Sequence, residues 1–526
     1  MAFWIAFGLL AAAKLWLAAN LPLFVDEAFY WQESRHLAWS YSDVPGLTAW
    51  LIAAGEGLFG HSTLAVRAPF LVLGALVPLL VVGLAARFAD ASAAWQAGLW
   101  TLGMPLAGTL GVLALPDVPL VFASAAALMA LERAARDDRL RDWCALGLAL
   151  AITWLAHYRA AMLMLAGLAF LVASPRGRRL WSRPGLWIAL ALAASGLLPL
   201  LAFNLAHDWT ALGFQMIERH PWSFHADALW QPFEQAVVVT PLLYALLLVV
   251  AWVGMRRARD GAPWDLMATV GGTSLLAWFV FGLFADAERF RVHWPLAAYL
   301  PLLAVLPLLL REQARARHAA WRVASLLAAV GAALGTAIVL LYLGAAAAPG
   351  GSAWLAGHKA YPSHFAGWRE ATAAARGLLA RDVDSRMVLV ADNFMLAAEL
   401  DFAFDGARPV YTLDSPLNAK HGRRSQLSLW QRDESALRAL AGRRALVAID
   451  ETALRERERQ PWLEDLCRRL GPLQVLQRIE LDGGRKRIAF ATAIVPAHAG
   501  GAPCSVVGQR MAEEAQRPAQ DSAGMR

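Results

Sequence analysis

The sequence predicts a polytopic α-helical membrane protein with a small α/β domain toward its C-terminal end. Three observations carry that expectation. Of 526 residues, 58% are hydrophobic and 17% charged, against about 45–50% apolar and about 25% charged in ordinary soluble domains. Mean hydropathy is +0.44. Charge is also segregated: residues 1–344 hold 23 Lys+Arg and 20 Asp+Glu, whereas the remaining 182 residues hold 25 and 21. The first two-thirds has the charge density of a membrane domain, and the last third that of a globular one.

About 20 apolar residues cross a bilayer as a helix. The runs that approach this are 2–22, 65–86, 93–112, 118–131, 143–156, 160–174, 185–206, 236–255, 265–285, 294–310 and 323–344, eleven expected spans. The first is read as a span because it lacks the basic start and the small-residue cleavage site of a signal peptide. With Met1 inside, the inner loops collect 16 arginines and the outer loops six: Arg35, Arg67, Arg159, Arg219, Arg289 and Arg291. The positive-inside rule then sets the orientation, and an odd number of spans exports the C-terminal part.

Beyond Gly344, the segments 387–392, 444–450 and 486–495 read as short buried strands, and 366–380 and 394–404 have helical spacing. Strands alternating with helices predict a small α/β domain over 345–496. Residues 497–526 are polar and rich in small residues, a composition expected to be disordered. The expected domains are therefore a membrane domain over 1–344 with a first outer loop at 23–62, the exported α/β domain, and the tail. Net charge is +7, but the basic residues sit in clusters between apolar runs, which excludes a nucleic-acid-binding face. Three cysteines without CxxC spacing exclude a legible zinc or iron–sulfur site. Cys467 and Cys504 both fall in the exported part, where a disulfide between them would persist.

The chemistry-bearing residues gather in the outer loops. The first loop carries Asp26-Glu27 at the mouth of the first span, and then Asp43 before Pro45-Gly46. The tight loop ALPDVPL holds Asp117 between two prolines, AHYRAA holds His157, Tyr158 and Arg159, and FADAERFRVHWP holds Asp286, Glu288, Arg289, Arg291 and His293. Each has a plain structural explanation. Asp before an apolar run caps a helix, His-Tyr-Arg can anchor at the interface, and Trp39, Trp50, Trp222 and Trp294 fit an aromatic belt. Together, on one face of the membrane, they suggest more. A carboxylate can act as a general base, and Arg and His can stabilise an anionic leaving group.

Taken in order, VDEAFYW…LAWSYSDVPGLTAWL, LPDVPL, HYRAAMLMLAGLAFLV and VHWPLAAYL resemble the GT-C glycosyltransferases. Within them the likeness is to the branch of dolichyl-phosphate-mannose–protein mannosyltransferases and lipid A aminoarabinose transferases. It covers roughly residues 20–300, and DNFMLAAELDFAFDG…GRRSQLSLW (392–430) resembles the outer domain of bacterial members. The resemblance implies a GT-C-like fold at a bacterial cytoplasmic (inner) membrane. It implies transfer of a sugar, with inversion, from a polyprenyl-phosphate donor to a glycolipid, polysaccharide or protein acceptor at the outer face. The acidic pair of the family falls on Asp26 and Glu27, its second first-loop acid on Asp43, the acid before the fourth span on Asp117, and a basic position on His157 in place of lysine. Val44 stands where many members carry His or Lys, and Gly46 where many carry a second proline.

Asp26 is the expected base, with Glu27 and Asp117 assisting; Asp43, His157, Tyr158, Arg159, Arg289, Arg291 and His293 are the expected substrate-binding set. No cofactor is required. A divalent cation would suit this many carboxylates, but no spacing demands one. The alternative is a multi-span transporter of a lipid-linked or anionic substrate, which predicts charges in mid-span, where Lys14 is the one clear case.

Overall fold

The computed structural model describes residues 1–220, 222–285, 292–317, 319–381 and 387–498, without the side chains of 316, 317 and 319. Arg289 and Arg291, together with Asp286 and Glu288, lie outside the described residues. So do Cys504 and nearly all of the tail expected to be disordered.

The elements used below, in chain order, are α1 (Ala2–Asn20), α2 (Val25–Arg35), α3 (Leu47–Phe59), α4 (Thr63–Ala85), α5 (Ala91–Gly103), α6 (Asp117–Asp137), α7 (Leu140–Ala156), α8 (Ala160–Ala173), α9 (Pro184–Ser195), α10 (Leu198–Ala206), α11 (Gln231–Val239), α12 (Pro241–Arg256), α13 (Trp264–Gly282), α14 (Leu296–Arg317) and α15 (Ala319–Ala347). There follow α16 (Trp368–Ala380), β1 (Val388–Ala391), α17 (Phe394–Ala403), β2 (Val410–Thr412), α18 (Arg423–Leu429), β3 (Arg444–Asp450), α19 (Glu456–Leu470), β4 (Gln474–Leu481) and β5 (Lys486–Ile494).

These fall into two compact units: Met1–Asn20 with His36–Gly344, and Leu21–Arg35 with the chain from Ala345. The expected division after Gly344 is observed. The stretch 21–35, expected in a loop of the membrane domain, belongs instead to the second unit. The reason is packing: α2 turns Phe29 onto Phe394 (5.7 Å between ring centroids) and Trp31 onto Phe402 (5.3 Å), and both rings on α2 are fully buried.

In the first unit, helix starts follow local chemistry. The Ser62 hydroxyl accepts the Ala65 N–H at the head of α4, and the Asp90 carboxylate accepts that of Ala93 at the head of α5. Among the described residues seven helices are long and apolar enough to cross a membrane, eight if Ala226–Val239 and Pro241–Arg256 count as one bent span. That differs from the eleven expected runs in a specific way. The runs at 93–112, 143–156 and 160–174 fall on the shorter α5, α7 and α8, while 118–131 lengthens into the 21-residue α6. The run at 236–255 is broken. Thr240 adopts φ +77° and Pro241 cannot donate a hydrogen bond, so the chain turns by 116° there.

Ion pairs sort to the two ends of this unit as the alternation of runs predicts. Arg87–Glu132, Arg133–Asp142, Arg176–Asp265, Arg257–Glu312 and Arg311–Asp90 join the expected inner loops. Asp117–Arg159 joins outer ones. The mid-span Lys14 is spent on backbone, its ammonium donating to the Leu110 carbonyl at 2.7 Å. Arg67 is likewise buried and donates to the carbonyl of Ala18 near the end of α1. Neither reads as a proton relay.

The second unit is built on a five-stranded sheet in the order β2-β1-β3-β5-β4. β1 runs parallel to β2 and β3, while β5 is antiparallel to both β3 and β4. The three expected strands are β1, β3 and β5. β2 has only three residues, and β4 (QVLQRIEL) is a polar, mostly half-exposed edge strand, so neither carries the apolar run that reveals a buried strand.

Candidate functional site

In the first unit the expected residues where α6 begins, α7 ends and α8 begins converge. Asp117, the first residue of α6, accepts from the Arg159 guanidinium (Nη1 to Oδ1, 2.8 Å), and His293 Nε2 lies 3.5 Å from the same oxygen. Arg159 stacks over Trp294 at 5.1 Å, and Arg219 covers that indole as well, at 5.4 Å. The Arg159 guanidinium and the His293 imidazole thus face the Asp117 carboxylate, and Arg219 adds a second guanidinium on the Trp294 indole. Trp294, expected in an aromatic belt, instead takes part in the cluster.

His157 occupies the bend between α7 and α8. It is buried, and its Nδ1 accepts the Arg159 backbone N–H at 3.1 Å. Burial, reinforced by the positive charges of Arg159 and Arg219, holds it well below the ordinary histidine range. It is therefore a neutral residue that shapes the Arg159 turn rather than a cationic phosphate ligand. Burial and the nearby Asp43 carboxylate push the Tyr158 phenol upward, so it stays a neutral hydroxyl. Asp43 is buried in the tight turn where Tyr41 N–H donates to Val44 C=O, and the Gln215 amide donates to the Asp43 carbonyl. Gly46 has a steric reason here: a Cβ on it would stand 2.8 Å from the Trp50 indole and 2.9 Å from the Trp39 carbonyl oxygen.

In the second unit, Asp26 and Glu27 open α2. Glu27 is fully buried, and its carboxylate accepts the Phe24 N–H at 2.8 Å, the back half of a capping box. Asp26 keeps a quarter of its side chain exposed and pairs with Arg423 at 3.1 Å. Arg423 is buried, 3.7 Å from Glu33, and stacks on Phe29 at 4.2 Å and Tyr30 at 5.0 Å. Burial would raise the Asp26 pKa, but the charges of Arg423, His421 and His364 outweigh it, and the carboxyl is held below its usual range. It is ionised at neutral pH.

Arg423 and Arg219 were not among the expected site residues, and Trp294 was assigned to an aromatic belt. Gly422-Arg423-Arg424 reads as a loop; Gly422 does turn, at φ +73°, but Arg423 opens α18 and points inward. Its presence in the stretch resembling bacterial outer domains was the available signal. Arg219 lies between Glu218 and His220, and its neighbours gave no pattern that set it apart from the other outer-loop arginines. Among the described residues, no group of three or more His, Cys, Asp or Glu converges as a metal site would require.

A family model described as dolichyl-phosphate-mannose-protein mannosyltransferase matches residues 43–203, which include Asp43, Asp117, His157, Tyr158 and Arg159. No curated protein sequence matches. Among solved structures, the chain is similar to ArnT from Cupriavidus metallidurans in the apo state, with TM-score 0.63, 17% identity, and 93% of this chain and 98% of that one covered. ArnT bound to undecaprenyl phosphate matches over the same shares at TM-score 0.61 and 17% identity. An oligosaccharyltransferase from Archaeoglobus fulgidus, in complex with Zn and sulfate, matches at TM-score 0.51 and 13% identity, over 90% of this chain and 72% of that one. At such identities the likeness is one of fold.

Proposed function

We propose that this GT-C-fold membrane protein is an inverting glycosyltransferase that takes its sugar from a polyprenyl-phosphate donor. The acceptor is a glycolipid, polysaccharide or protein at the outer face of a bacterial cytoplasmic membrane. The observation that carries the reading is the aromatic-backed cluster in which Arg159 and His293 meet Asp117 and Arg159 and Arg219 both cover the Trp294 indole. A phosphate at a bilayer surface needs charge-assisted donors that are already oriented, and the Asp117 pairing and the indole stack orient both guanidiniums.

In the reaction, the acceptor oxygen bonds to the anomeric carbon while the bond from that carbon to the phosphate oxygen breaks. The electron pair leaves with the polyprenyl phosphate, whose growing charge the arginines stabilise. The acceptor proton passes to a carboxylate, for which Asp26 is the proposed base; its partial exposure and ionised state support the role. Arginines 16 to six in favour of one side support an exported C-terminal unit.

The test is to incubate the purified full-length chain with a labelled polyprenyl-phosphate sugar and an acceptor lipid, and to follow free polyprenyl phosphate. Release that depends on acceptor supports transfer. Binding of the donor without release, under every acceptor tried, would favour carriage of the lipid over chemistry.

A further inference from the structure

A second opening in the membrane unit lies far from that cluster. A groove of about 810 Å³ runs between α1, α5, α14 and α15. Along one wall the Thr336 hydroxyl on α15 donates to the Gly103 carbonyl at 2.6 Å, and Ala337 and Leu340 continue the lining beyond it. Toward the start of α15 the lining is Leu9, Leu10, Leu99, Trp100 and Ala333, then Gln96, Arg311, Arg322 and Ser325. Arg311 lies 15 residues beyond Leu296, where α14 begins, roughly 22 Å along the helix at 1.5 Å per residue. His293 marks the other end of that helix, so the arginine end of the groove belongs to the membrane face opposite the Asp117 cluster.

Two guanidiniums stand at this end of the groove. Arg311 is held in place by Asp90 at 2.6 Å, Ser92 at 2.9 Å and Gln96 at 3.3 Å. Arg322 forms no ion pair with a described residue. Two guanidiniums against one carboxylate leave an excess positive charge, and directly behind it the walls are apolar. α1 and α15 also face outward with Leu9, Leu326 and Leu334 exposed, so the groove is continuous with surface that lipid covers.

We propose that this groove holds an anionic glycerophospholipid of the inner leaflet. Its phosphate and acidic headgroup meet Arg311 and Arg322, and one acyl chain lies between α5 and α15. Basic pockets between membrane helices recognise lipid headgroups by this combination of charge and apolar wall. The polyprenyl donor does not fit as the occupant, because its phosphate is proposed to bind at the far end of the same helices.

The test uses the full-length protein in neutral detergent. Phosphatidylglycerol and phosphatidylcholine with identical acyl chains are titrated separately while the melting temperature is followed, since a ligand of the folded state raises it. A rise with phosphatidylglycerol and little or none with phosphatidylcholine is expected. Arg322→Gln and Ala333→Phe should each abolish the difference, the first by removing headgroup charge and the second by filling the chain channel. Arg178→Gln, which changes an inner-face arginine outside the groove, should retain it. Equal rises with the two lipids would overturn the proposal, as would a difference that survives in both groove variants. If either variant fails to fold, native mass spectrometry of the wild-type chain decides: retention of an anionic phospholipid in preference to a zwitterionic one supports the site, and no preference rejects it.

Discussion

Asp392 should make the second unit less stable as pH rises through neutrality. It directly follows β1 and is 2% exposed; its Oδ1 accepts the Asp450 N–H at 3.2 Å and the Asn393 amide at 2.8 Å. Asp450, at the end of the neighbouring parallel β3, pairs with Lys486 at 2.6 Å. Burial first, and then the Asp450 charge, push Asp392 from 3.8 up to about 8. Because the folded value lies above the unfolded one, the folded state binds a proton that the unfolded state has already lost. Stability from this group is therefore fully present below about pH 4 and is lost as pH rises through about 8. The slope is about 1.4 kcal/mol per pH unit, so roughly 2 kcal/mol disappears between pH 6 and pH 7.5. Asn mimics the protonated acid and keeps an acceptor for the Asp450 N–H. Asp392→Asn should thus remove the slope and protect better than wild type at pH 8. Hydrogen exchange of peptides covering β1 and β3, corrected for intrinsic rate, reads the opening free energy of this sheet. The same fall from pH 6 to 7.5 in both proteins would refute the assignment of a buried, protonated Asp392.

Three further outcomes are expected. Asp26→Asn should lower transfer by roughly 10²–10⁴ while folding persists; near wild-type turnover would remove Asp26 from the mechanism and turn attention to Asp117 or Asp43. Glu27→Gln should show itself mainly as lost thermal stability, because the carboxylate is buried as a cap; a rate loss at unchanged stability would restore it to the chemistry. Arg159→Ala should weaken donor binding and leave the Asp117 charge without its guanidinium, whereas His157→Asn should leave donor affinity nearly unchanged. An affinity loss for His157→Asn equal to that for Arg159→Ala would show that the imidazole carries charge in the bound state.

The membrane class and the boundary near Gly344 were legible in the sequence, because hydropathy and charge density need no tertiary contact to be read. Asp117, Arg159 and His293 were legible as candidates for the same reason: ionisable groups at a bilayer edge are costly enough to stand out. What they do to one another was not. That His157 is neutral follows from burial beside two guanidiniums, one of them on Arg219, 62 residues further along the chain.

The membership of 21–35 in the second unit came from packing of Phe29 and Trp31 on residues more than 360 positions away. Arg423 could not be told from Arg424 by sequence, since a loop arginine and a buried one have the same composition around them. Only the aromatic walls contributed by α2 and α17 separate the two. Local pattern thus determined that the first part of the chain is a bundle of apolar helices and that a small α/β unit follows it. The protonation states and partners were decided by tertiary structure, because a charge's energy depends on what distant segments bring within a few ångströms of it.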